Sequence, residues 1–177
     1  EVDIMEEDIR MAREAGADGV VFGCLTPDGE LDMPVMQRLM KAAEGMSVTF
    51  HRAFDYVARP AEVLEQLVEL GVDRILTSGQ QPSAPQGAEL LAQLVKQAAG
   101  RIIIMPGCGV NESNIAELAR KTGAAEFHFS ARENRESRMR LRNPALSMGG
   151  AVQIDEYSHP VTTPERVRRT IESLTVL

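Results

Sequence analysis

Apolar and polar positions alternate between two periods from one end of the chain to the other. Residues 5–16 carry Met5, Ile9, Ala12 and Ala15 at helical spacing, with acids early and Gly16 as a stop. A short continuous apolar run, GVVFGCL (19–25), follows, as a parallel strand covered on both faces requires. The same switch repeats along the chain. It predicts helices over 33–43, 60–70, 86–99, 111–122 and 163–174, and strands over 47–54, 73–78, 101–106 and 125–131. Gly45 and Gly71 close helices, and Pro60 opens one at a first-turn position.

Helix–strand alternation with short connections implies a parallel sheet with right-handed crossovers, in an open doubly wound sheet or a closed barrel. Two features select the barrel. No Gly-rich dinucleotide fingerprint opens a helix. Polar residues recur where strands end: His51, Ser78, the Gly107–Gly109 turn, and His128 with Ser130. The fold class is therefore α/β, a parallel (β/α) TIM-type barrel, forming one domain over 1–177. Five strands do not close an eight-stranded ring, so about three βα units are expected upstream of Glu1. Residues 131–162, after the last strand, show no element and are expected to form a long loop or lid.

Composition narrows the function. The chain is 44% hydrophobic and 25% charged with net charge -7, a globular balance without the basic footprint of a nucleic-acid binder. No apolar run reaches the length of a membrane span. The two cysteines, Cys24 and Cys108, are far apart in the sequence, which fits a reducing compartment, the cytoplasm.

Strand alternation places Thr49 and His51 on one face of SVTFHRAF, and Glu126, His128 and Ser130 on one face of AEFHFSA. His51 and His128 are thus the candidate acid–base or metal-binding groups at a common mouth, with Ser130 and Asp55 beside them. The alternative is that the histidines are hydrogen-bonded interior residues. Arg52 either binds an anion or pairs with Asp55. The turn PGCGVNESN offers Gly107 and Gly109 as backbone anion ligands, or is simply a tight turn capped by Asn111. Residues 132–142 hold five arginines against two glutamates, and Arg132 and Arg135 are candidates for an anionic ligand. Metal spacing is poor, and Cys24, Cys108 and Met105 are the soft candidates near the mouth. Met33, Met36 and Met40 read as a core stripe. Lys41, Lys96 and Lys121 all fall on helices, so no strand offers a Schiff-base amine.

The segments GADGVVFGCLTPDGELD, VTFHRAFD, RILTSGQ, IIMPGCGV, EFHFSA and DEYS, in this order and spacing, resemble the CutC family. The resemblance covers the chain from Met5 to Leu174. It implies a cytosolic (β/α) barrel of copper homeostasis that binds copper, with Cu(I) as the ion. It also implies that the cysteines usually invoked for copper, and an Arg-Pro-Arg-Gly-Gly segment, lie upstream of Glu1. Two functions follow. One is copper handling. The other is a lyase or isomerase acting on a small anionic substrate, phosphorylated ones included, through histidine acid–base groups. The expected partners are a copper ion or a small anion, and further copies of the chain in a homo-oligomer.

Overall fold

A computed structural model describes residues 1–146, 148, 149, 152 and 154–174. The chain runs α1 (Val2–Glu14), β1 (Gly19–Phe22), α2 (Met33–Ala42), β2 (Ser47–Phe50) and a 3-10 turn (Arg52–Tyr56). It continues through α3 (Pro60–Glu69), β3 (Arg74–Thr77), α4 (Ala88–Ala98), β4 (Ile103–Pro106) and α5 (Ile115–Thr122). It ends with β5 (Arg132–Glu136), β6 (Ser158–Thr162) and α6 (Pro164–Leu174). No helix among the described residues is long and apolar enough to cross a membrane.

Strands β1 to β4 pair in parallel in chain order, with Val20 opposite Val48, Phe50 opposite Ile75 and Ile75 opposite Ile104. A doubly wound sheet reverses its strand order part-way, whereas a barrel wall adds strands in sequence. This sheet is a section of an α/β barrel wall.

Each strand splits its side chains between two environments. Val48, Phe50, Ile75 and Ile104 face the helices and are buried against Met36, Leu39, Leu64, Leu67, Leu91 and Leu94. Burying such side chains stabilises by roughly 1.5–3 kcal/mol each, so this layer fixes which face each strand turns outward. The methionine stripe is core as expected: Met36 is fully buried, and Met33 and Met40 pack beside it. On the opposite face Arg74, Leu76, Ile103 and Met105 are half-buried. There Arg74 grips Glu126 with two hydrogen bonds, 2.9 and 3.3 Å, and donates a third to Ser47.

Local chemistry sets the element ends. The Asp32 carboxylate caps α2 by accepting from the Val35 amide at 3.2 Å, with Pro34 in the first turn. Between β3 and α4 the chain passes over itself so closely that a Cβ on Gly87 would lie 2.0 Å from the Ser78 carbonyl oxygen. Only glycine fits there.

Three expectations need correction. Residues 125–131 do not form a fifth strand. They touch the sheet edge through one backbone bond, His128 N–H to Pro106 O at 2.9 Å, and through the Glu126 side chain, which is drawn to Arg74. Ala131, with φ 46°, then turns the chain away. The stretch expected to be a loop instead carries an antiparallel ribbon, β5 with β6, pairing Arg132 with Thr162 and Glu136 with Ser158. Its sequence RENRE has no apolar face, so the period-two signal was absent. Positions 147, 150, 151 and 153 of that stretch lie outside the described residues. Finally, the helix expected from 111 starts at Ile115. Residues 111–114 form a turn in which the Asn111 amide donates to Asn114 Oδ1 and the Ser113 amide to Asn111 Oδ1. Asparagine side chains compete with the helix for these groups.

Candidate functional site

The ends of β2, β3 and β4 meet at one rim. After Phe50 the chain tightens into the 3-10 turn, and His51 caps it by accepting from the Ala53 amide through Nδ1 at 3.2 Å. The imidazole lies against Gly23, where an added Cβ would come within 2.9 Å of Nδ1.

The same turn presents Arg52 and Asp55. Asp55 reaches across to the end of β3 and accepts from Thr77 Oγ1 (2.6 Å), the Ser78 amide (3.0 Å), Ser78 Oγ (3.1 Å) and the Gln80 amide (3.2 Å). It also accepts from Arg52 Nε at 2.7 Å, and its side chain is 6% exposed. Burial pushes its pKa up, but the Thr77 hydroxyl, the Arg52 guanidinium and the Gln80 and Ser78 amides outweigh burial and hold it below the ordinary carboxylate value. Arg52 donates further to Ser78 Oγ through Nη2 at 3.1 Å, while Nη1 has no acceptor among the described residues. Two fixed bonds hold a guanidinium whose outer end is open.

Between β4 and α5, Cys108 and Gly109 both take left-handed backbone, φ 75° each. The Gly107 amide, expected to serve an anion, instead donates to Thr77 O at 2.9 Å and belongs to the sheet. The Gly109 carbonyl accepts from the side-chain amides of Asn111 and Asn114. The Cys108 thiol donates to Pro82 O at 3.2 Å.

These segments enclose an open cleft of about 370 Å³. Its polar lining comes from Arg52, Cys108, Asn111, His128, Ser130 and Arg166. Leu76, Val110 and Phe129 supply the apolar part. Of the residues singled out from sequence, Arg52, Cys108, Gly109, His128 and Ser130 come together here. His51, Asp55, Gly107, Arg132, Arg135 and Cys24 are not in the lining. The two histidines therefore do not share the cavity as expected, because the 3-10 turn takes His51 for its own cap. His128 presents its ring with neither nitrogen partnered among the described residues. Arg135 lies out on β5, opposite His159.

Sequence reading missed Arg166. It reaches the cleft from the first turn of α6 and is clamped by Glu112 through Nε (3.2 Å) and Nη2 (2.9 Å). Its Nη1 donates to the Arg132 carbonyl oxygen. Nothing in RVRR (166–169) marks one arginine from the next; the partner that distinguishes Arg166 is 54 residues away.

Among the described residues no three His, Cys, Asp or Glu side chains come together as a metal-binding set. Burial, and then the neighbouring Asp32, push the Cys24 thiol up, away from the thiolate that Cu(I) prefers.

A profile of the CutC family matches residues 1–133. A family protein CutC of Bacteroides thetaiotaomicron is 60% identical over 174 residues, 98% of this chain and 70% of that protein. The human copper homeostasis protein cutC homolog is 46% identical over 95% of this chain and 62% of its own length. The crystal structure of the putative copper homeostasis protein CutC from Streptococcus agalactiae superposes with TM-score 0.69 and 34% identity, covering 72% of this chain and 62% of that one. This chain thus spans under two-thirds of the human and streptococcal proteins. An aldolase structure, QR15, superposes with TM-score 0.57 at 17% identity and shares the barrel fold alone. The sequence, the fold and these relatives agree that the chain belongs to the CutC family.

Proposed function

We propose that this chain carries a small-molecule site of a copper homeostasis protein, and that the cleft binds a small anion for proton-transfer chemistry of the lyase or isomerase class. The observation that carries this is Arg52. Its guanidinium is fixed by Asp55 and Ser78 and keeps Nη1 open among the described residues, and Arg52 lines the same cleft as His128 and Ser130. A pinned guanidinium gives up little conformational entropy on meeting a carboxylate or phosphate oxygen. In this reading Arg52 anchors the anion, the His128 imidazole accepts or returns a proton, and Ser130 orients a hydroxyl or carbonyl. His51 and Asp55 support the rim. The two free thiols suit a reducing cytoplasm as the place of action.

A second reading is favoured by one observation: Cys108 and His128 line the same cleft, so a thiolate and an imidazole could share a Cu(I) ion. One pair of titrations decides between the two. Small anions titrated into the isotope-labelled chain should shift the His128 and Arg52 side-chain resonances, and Arg52→Ala should abolish the effect. Cu(I), titrated against a competing chelator, should bind weakly and equally in the wild type and in a Cys24→Ser, Cys108→Ser variant. Tight Cu(I) binding lost in that variant, with no anion response, would establish the second reading instead.

A further inference from the structure

The two arginines of the cleft are held in different ways. Arg52 is bonded at Nε and Nη2, and its Nη1 amino group is open. In Arg166 all three nitrogens are engaged: Nε and Nη2 by the two oxygens of Glu112, Nη1 by the Arg132 carbonyl. The Arg166–Glu112 pair is only about one-quarter exposed, 25% and 26%. Further along α6, outside the cleft lining, Arg169 is tied to Glu133 at 3.3 Å, so it too has a carboxylate of its own.

From this we infer that Glu112 determines the charge class of the ligand. By clamping Arg166 it leaves the cleft with the pull of one guanidinium, and the site takes a monoanionic carboxylate in preference to a phosphate dianion. The inference rests on the reading of the cleft as an anion site and refines it. A phosphate dianion needs two cationic partners or several backbone amides to replace its hydration. Of the turn's backbone amides, that of Gly107 is committed to Thr77 and that of Asn111 to Asn114, so only those of the Cys108–Val110 stretch are left for a dianion. A single carboxylate needs only the open end of Arg52. Its remaining atoms would meet His128, Ser130 and the apolar surface of Leu76, Val110 and Phe129. Glu112 also acts against the wrong ligand, since a second negative charge approaching Arg166 meets a carboxylate already in place. Selectivity commonly needs such a repulsive element alongside the attractive one.

The test uses the 177-residue chain, glycolate as the carboxylate probe and inorganic phosphate at pH 8, with binding followed by calorimetry and folding by thermal melts. The wild type should bind glycolate more tightly than phosphate, and Arg52→Ala should lose both. Glu112→Gln frees Arg166 and should raise phosphate affinity at least about ten-fold, with glycolate changing about three-fold or less. The double variant Glu112→Gln, Arg166→Gln removes both charges and should return the wild-type preference. Should Glu112→Gln fail to fold, Arg166→Gln gives the reciprocal readout, since an unpaired Glu112 must weaken phosphate more than glycolate. Equal changes for the two anions, or a wild type that prefers phosphate, would overturn the role of Glu112 while leaving the anion site standing. No binding of either anion, with wild type and Arg52→Ala alike, would remove the anion site itself and this inference with it.

Discussion

The two walls of the cleft each hold an arginine against a carboxylate, and they use the same pair of residue types for opposite ends. On the β2 side the carboxylate is the buried partner. Asp55 collects bonds from Thr77, Ser78 and Gln80 as well as Arg52, so it stitches one strand end to the next, and Arg52 keeps an open end. On the α6 side both partners are similarly exposed, and Glu112 and Arg166 satisfy each other edge to edge. Availability of an arginine for a ligand is thus decided by how many other donors its carboxylate has, rather than by whether it is in an ion pair.

If that comparison is right, the largest effect belongs to Asp55. Asp55→Ala leaves the Thr77 hydroxyl and the Ser78 and Gln80 amides without their acceptor, and should cost about 3 kcal/mol of stability in urea denaturation. A loss no larger than that of a surface ion pair would break the distinction between the walls. Next is Arg52→Ala, which should weaken small-anion binding at least ten-fold, about 1.4 kcal/mol by titration, with the fold retained.

Acid should act on the same wall. The Asp55 pKa is depressed on folding below its ordinary value of 3.8. Its contribution to stability is therefore fully present above that value and is lost as pH falls through the depressed folded value. Denaturation midpoints should decline on acidification below about pH 4, and less steeply in Asp55→Asn. An identical pH slope in that variant would contradict the assignment.

On the opposite wall Glu112→Ala should cost no more than about 1 kcal/mol, because a partly solvated pair contributes little. The smallest effect is expected between the walls. Cys108 holds a left-handed φ of 75° that glycine adopts without strain. Cys108→Gly should leave stability unchanged or raise it by up to about 1 kcal/mol, the strain relieved being partly offset by loss of the Pro82 contact.

How far the sequence could be read differs between the same regions. The four sheet strands and their helices were legible because one face of each is buried, and burial imposes a period. The ribbon β5–β6 was not legible, since both its strands are almost wholly solvent-facing and no period is imposed. The convergence of Arg52, His128 and Ser130 on one cleft was legible because segments leaving a barrel sheet point to one mouth. His51 does not line that cleft, and its Nδ1 accepts a capping bond from the Ala53 amide one residue past the strand's end.

What the sequence determined by itself was the βα alternation, the apolar face of the four sheet strands and their helices, and the family, all of which rest on local spacing. The tertiary structure alone decided which polar groups remain available to a ligand. Asp55 is committed by residues 22 to 25 positions away, and Arg166 by one 54 positions away. A hydrogen bond depends on distance and direction in space, and neither is written in the local pattern of the chain.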